Sequence, residues 1–225
     1  MNEKTVGFKS ITENQVAIVA AGLTTPTIYS PEISALCDAE VYLKLENLQP
    51  TGSFKVRGAL LRLTNLDTES CSRGVVAMSA GNHAQGVAYH AQKLGIPATI
   101  VMPSNTPFTK ISKTESLGAT VILAGENLSD SQQEADRLVK SNGLTLIHPY
   151  DDIDVITGQG SVALELLDAQ PNLEAIVVPI GGGGLISGIS IAAKAINAKI
   201  DIFGVEAQNY ASMKATIAGL DADCG

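Results

Sequence analysis

The sequence contains no tryptophan, its aromatic residues make up only 4% of the chain, and no run of Lys or Arg occurs in it. Without stacking platforms or a basic stripe, nucleic acid is not an expected partner. The 15 basic residues are outnumbered by 23 acidic ones, and the net charge of -8 repels phosphate backbones and anionic membrane surfaces alike. Cysteine is scarce too. Cys37, Cys71 and Cys224 lie far apart with no CxxC pair to hold zinc or carry redox chemistry, so they read as reduced thiols. The first residues, MNEKTVGFKSITENQ, lack the apolar core of a signal peptide, and the expectation is a cytoplasmic protein. Asn127-Leu128-Ser129 is then a chance match to the glycosylation triplet. One long uncharged window, residues 175–193, is interrupted by Pro179 and four glycines. It reads as a buried strand, a loop and a helix rather than a membrane span.

What is present is a chain of 225 residues, 45% hydrophobic with mean hydropathy +0.18, enough for a sizeable core in one or two domains. Short runs rich in β-formers recur at VYLKLE (41–46), GVVAMS (74–79), ATIVM (98–102), TVILA (120–124), TLIH (145–148), AIVVPI (175–180) and DIFGVE (201–206). Stretches with helical spacing lie between them, from VRGALLRLTNL to YASMKATIAGL, and several end on glycine. This alternation predicts an α/β fold with mainly parallel sheets flanked by helices. Ligands in such folds bind beyond the carboxyl ends of strands, so the loops after Glu46, Ser79 and Ile180 are the places to look. No linker marks a domain boundary.

Gly181, Gly182, Gly183 and Gly184 sit between an apolar strand and an apolar helix. Convergent backbone N–H groups and a helix N-terminus there suit a phosphate, although a plain flexible turn uses the same residues. The G-x-G-x-x-G spacing fails at Ile186 and Ser187, and no lysine follows in the manner of a P-loop, so neither nucleotide template applies. Ser79-Ala80-Gly81-Asn82-His83 closes one strand and opens a helix. Ser79 is suited to cap that helix and Asn82 to meet a polar ring or a carboxylate, while His83 reads equally as a solvated first-turn residue. In TGSFKVRGA (51–59), Lys55 is either a surface lysine or, if buried beside Phe54, an amine of depressed pKa that attacks aldehydes. Arg57 reads as a structural anchor, with Glu46 a candidate partner.

Taken in order, LENLQPTGSFKVRGA (45–59), SAGNHAQG (79–86) and PIGGGGLISG (179–188), with PYDDIDVITGQG (149–160) between them, resemble the fold-type II pyridoxal-phosphate enzymes. The similarity is to the threonine/serine dehydratase branch and covers residues 15–215. It implies a tryptophan synthase β-like architecture of two lobes, with residues 1–73 and 150–225 in a large cofactor lobe and 74–149 in a small one. It implies that Lys55 forms a Schiff base with pyridoxal 5'-phosphate, that Phe54 packs at the ring and that Asn82 meets the ring hydroxyl. Gly181, Gly182, Gly183, Gly184 and Leu185 would hold the phosphate. Ser79, Gly81, Asn82 and His83 would grip the carboxylate of a small amino-acid substrate. The implied reaction is β-elimination from L-threonine or L-serine, giving 2-oxobutanoate or pyruvate and ammonia, in a homo-oligomer (dimer or tetramer).

Departures from the family pattern matter as well. Serine racemases, which also resemble this chain, carry a serine where it has Ala80, and that disfavours two-base racemization here. Glu206 matches one ligand of a racemase cation site but Ser212 replaces the other, so no metal is expected. The chain is shorter than its relatives and ends before the Ser or Cys that would face the pyridine nitrogen; Cys224 reads as an ordinary terminal cysteine. The expectation is a C-terminally truncated form with an incomplete large lobe, read either as a dehydratase or as a protein that keeps the fold without turnover.

Overall fold

Residues 5–220 are described by a computed structural model, in which the alternating pattern becomes small sheets wrapped by helices. Strands β3 (Val75–Met78), β4 (Ala98–Met102), β5 (Thr120–Leu123) and β6 (Thr145–Leu146) pair in parallel in the order β5-β4-β3-β6. Parallel neighbours need long crossovers, and helices α5 (Asn82–Leu94), α6 (Phe108–Glu115) and α7 (Leu128–Asn142) supply them. Ala84, Val87 and Ala91 of α5 join Ala59 and Leu63 of α3 (Lys55–Thr64) against Val75, Ala77 and Ile100. Ala135 and Leu138 of α7 cover Val76 and Val101 on the opposite face. Strands buried on both faces are the reason this part of the sequence reads as continuous apolar runs.

A second parallel pair, β7 (Ala175–Pro179) with β8 (Asp201–Val205), is covered on one face by α8 (Ile153–Ala169) and α9 (Gly184–Ile196). Ile176 and Val178 pack there with Val162, Leu166, Ile189 and Ala192. Val177, Phe203 and Val205 on the other face are exposed, and β8 pairs with no further strand among the described residues. Beside β8 lies a cleft of about 1010 Å³ that takes in Ile186, Ile202 and Met213, the last from α10 (Ser212–Ile217).

Each strand expected from the sequence is present within its expected bounds. Among the described residues, α1 (Phe8–Ala20), β1 (Thr27–Tyr29), α2 (Pro31–Cys37) and α4 (Thr68–Arg73) are additional, as are two single 3-10 turns at Glu46–Leu48 and Gln208–Tyr210. β1 pairs antiparallel with β2 (Tyr42–Lys44), so the sheets are mainly rather than wholly parallel. Asn127, the first residue of the glycosylation triplet, caps α7 by accepting from Asp130 N at 3.0 Å. Cys224 lies outside the described residues.

The helix that positions the site is α8. A Cβ on Gly158 would lie 2.7 Å from the Arg57 carbonyl oxygen of α3, and one on Gly188 of α9 would lie 2.4 Å from Ile156 O of α8. Backbone therefore meets backbone on two sides of α8, which only glycine permits. The helices that begin at Lys55 and at the glycine loop are both fixed to this one rod.

Candidate active site

Arg57 is wholly buried and makes a fork to two carboxylates. Its Nε and Nη2 donate to Glu46 at 2.8 and 2.7 Å, while Nη1 and Nη2 donate to Glu165 at 2.6 and 2.9 Å. Lys44 Nζ adds a 2.6 Å bond to Glu165 Oε2. Burial works against the Arg57 charge, but hydrogen bonds to Glu46 and Glu165 hold its pKa above the ordinary value. The Glu46 pairing matches expectation; Glu165, which stands on α8, was not recognised in the sequence. The network pins the first turn of α3 between β2, the Glu46 segment and α8.

Lys55 opens that turn. Its Nζ donates to Pro149 O at 2.6 Å and lies 5.5 Å from the centre of the Phe54 ring. Desolvation lowers its pKa from 10.5 to about 8, so the surface-lysine reading is set aside. Lys55, Phe54, Tyr150, Pro179, Gly181, Gly182, Gly183, Gly184 and Leu185 line one cavity of about 100 Å³. Gly183 takes φ of +86° as the N-cap of α9, a left-handed conformation that favours glycine. A Cβ on Gly182 would come within 2.1 Å of the Tyr150 ring, whereas one on Gly181 would meet nothing within 4 Å. The loop is thus packed on one side and open on the other, at a helix N-terminus where N–H groups and dipole favour an anion.

The second motif differs from its expectation. α5 starts at Asn82 with Gly81 as N-cap, so Ser79 does not cap it; Ser79 Oγ instead accepts from Gly81 N at 3.1 Å, a local turn. Asn82 is exposed. His83 is not solvated, being 3% exposed, and its Nε2 donates to Ile147 O at 2.8 Å. Desolvation, then the nearby Lys55 charge, pushes the His83 pKa down to about 3. Ser79, Gly81, Asn82 and His83 do not line the cavity around Lys55. Their helix meets α3 one turn further on, at Gly86, where a Cβ would lie 3.2 Å from the Lys55 carbonyl carbon. Glu206, weighed as a cation ligand, accepts from Met213 N and Lys214 N at 2.8 and 2.9 Å at the start of α10.

Tyr150, Pro149, Gly86 and Glu165 are the site-forming residues that sequence reasoning passed over. Residues 147–150 follow a strand, and strand ends are where ligands collect, but Ile147 and Pro149 contribute backbone oxygens, which leave no side-chain signature.

A partly neutral amine facing backbone N–H donors at a helix start defines an α/β protein with a site suited to a small phosphorylated aldehyde. The model of the family described as "Pyridoxal-phosphate dependent enzyme" matches residues 19–224, and the chain belongs to that family. It is 47% identical over 212 residues to the L-threonine ammonia-lyase of Thermotoga maritima, covering 94% of this chain and 53% of that protein. The catabolic L-threonine dehydratase TdcB of Staphylococcus aureus strain N315 is 46% identical over 209 residues, 92% of this chain and 60% of the other. Maize serine racemase superposes with a TM-score of 0.91 at 39% identity, over 96% of this chain and 66% of that one. The chain thus spans 53% and 60% of the two curated relatives described. The family match and the likeness to the racemase structure make the architecture that of fold-type II.

The residues present fit pyridoxal 5'-phosphate. An amine of lowered pKa suits its aldehyde, the glycine-lined start of α9 suits its phosphate, and Gly181 leaves open the space a side chain would fill. No helix among the described residues is long and apolar enough to cross a membrane.

Proposed function

We propose that this chain carries the cofactor-holding part of a pyridoxal-phosphate-dependent ammonia-lyase, which eliminates the β-hydroxyl of L-threonine or L-serine and gives 2-oxobutanoate or pyruvate with ammonia. The observation that carries this reading is the meeting of the Lys55 amine and the four-glycine loop in one cavity. The names of the Thermotoga and Staphylococcus relatives support the reaction class.

When bound, the cofactor supplies an electron sink for charge that develops at the substrate's α-carbon. Lys55 would be the residue that bonds its aldehyde carbon, and whenever its amine is free, with a pKa of about 8, Nζ can give up and take back a proton near neutral pH. Gly181, Gly182, Gly183, Gly184 and Leu185 bind the phosphate through N–H groups, and Phe54 closes the cavity beside the lysine. Asn82 would meet the ring hydroxyl. Ser79, Gly81, Asn82 and His83, at the start of α5, receive the substrate carboxylate. Ala80 has no proton to give or take, which favours elimination over the racemization named for the maize neighbour. The same reading divides the protein into lobes of residues 1–73 with 150–225 and of 74–149, and makes it a cytoplasmic homo-oligomer.

Mixing the protein with pyridoxal 5'-phosphate tests the proposal. A yellow adduct that borohydride fixes to the Lys55 peptide, with ammonia and 2-oxo acid released from L-threonine or L-serine, is expected. Absence of the Lys55 adduct overturns the reading, and formation of D-serine without 2-oxo acid turns it toward racemization.

A further inference from the structure

The side chain of His83 does not point the way its motif implies. A carbonyl oxygen only accepts, so the 2.8 Å contact with Ile147 O makes Nε2 the protonated nitrogen. Nδ1 is then bare of hydrogen, and it is buried without a partner among the described residues. A buried imidazole with one nitrogen unsatisfied is costly in a core, and shape alone is served there by an apolar side chain of similar size. Ile147, fully buried, is the first residue after β6, and two positions later Pro149 O receives Lys55 Nζ. Tyr150, next in the chain, packs its ring against Gly182 and its backbone against Gly184. One four-residue stretch therefore touches the start of α5, the lysine and the glycine loop.

We propose that His83 is a positioning residue, whose Nε2–H bond to Ile147 O locks the loop at residues 79–82 to the same stretch that holds Lys55 and the glycine cradle. The bond sets where Asn82 and the first N–H groups of α5 stand relative to the lysine. His83 stays neutral in this role, since desolvation and the charges of Lys55 and His148 all oppose its protonation. The role deepens the reading given under Proposed function and rests on it only for the identity of the ligands.

The test compares His83→Gln, which keeps an N–H donor, with His83→Met, which keeps bulk and loses the donor. Pyridoxal 5'-phosphate loading is followed by absorbance, and the loaded proteins are titrated with L-serine. Loading of both variants is expected within about threefold of the parent, while half-saturation by L-serine rises roughly tenfold in His83→Met and returns to within about threefold in His83→Gln. Equal L-serine affinity in His83→Met and the parent overturns the proposal, as does equal weakness of both variants. A parent that fails to load at all sinks the cofactor reading instead. An arm without ligand stands beside these: nitrogen-15 NMR of the parent chain is expected to show His83 as the neutral Nε2–H tautomer at pH 7. An Nδ1–H tautomer, or a ring that titrates near its ordinary value, removes the Ile147 bond and the proposal with it, even where His83→Met does not fold.

Discussion

Lys55 Nζ donates a 2.6 Å hydrogen bond to the carbonyl oxygen of Pro149, 94 positions further along the chain. That acceptor is neutral, so it supplies no counter-charge to balance the water the ammonium has lost, and the pKa falls from 10.5 to about 8. The rate at which Lys55 forms a borohydride-fixable adduct with pyridoxal 5'-phosphate should climb about tenfold per pH unit below pH 8 and level off above it. Peptide mapping across a pH series measures this. A midpoint that stays near 10.5 contradicts the desolvated pocket, and Lys55→Ala should give no adduct at any pH.

Arg57 is buried between Glu46 and Glu165. Arg57→Met would strand two carboxylates that now share its fork, and the expected cost is about 3–5 kcal/mol in urea unfolding. Arg57→Lys should recover little, because an ammonium cannot face both carboxylates in plane as the guanidinium does. Recovery of parent stability by Arg57→Lys would mean that charge, not the fork, is what matters.

His83 and His90 are both buried, and desolvation leads the causes that lower their pKa values from 6.5 to about 3 and about 4. Below pH 6.5 the unfolded chain binds protons that the folded chain refuses, so these two histidines should make stability fall as pH drops from 6.5 toward 4, while between 6.5 and 7.5 they leave it level. Urea midpoints measured at pH 7.5, 6, 5 and 4 check the slope. His90→Gln should flatten it, since one of the two refused protons is then gone.

Gly181 and Gly182 are neighbours with opposite surroundings. Gly181→Ala adds a methyl to open space, so stability should stay within about 0.5 kcal/mol while pyridoxal 5'-phosphate affinity drops roughly tenfold or more. Gly182→Ala drives a methyl into the Tyr150 ring and should lose about 1–3 kcal/mol of stability. Thermal melting with and without the cofactor separates the two, and unchanged loading of Gly181→Ala would place the phosphate elsewhere.

The parallel sheets were legible because their strands, such as Val75 to Met78 and Ile100 to Met102, are buried on both faces and read as unbroken apolar runs. α1 was not, since Val16 and Val19 are exposed and blur its apolar stripe. β1 has three residues, too few for any period to show. The glycine loop and Lys55 were legible as chemistry, and the structure brings them together. Ser79 was misread because a serine before a helix looks the same whether it caps the helix or closes a turn two residues earlier. The Ile147 and Pro149 carbonyls were invisible, for every residue carries the same oxygen and only the fold decides what it meets.

The bare side of the β7–β8 pair has a practical consequence. Phe203 and Val205 present an apolar surface beside a row of backbone donors and acceptors that find no neighbour among the described residues. An open rim of this kind recruits any extended chain that passes, its own copies included, so solubility will depend on concentration and salt long before the core gives way. For whoever purifies this chain, the β7–β8 pair is the surface to guard as the solution is concentrated.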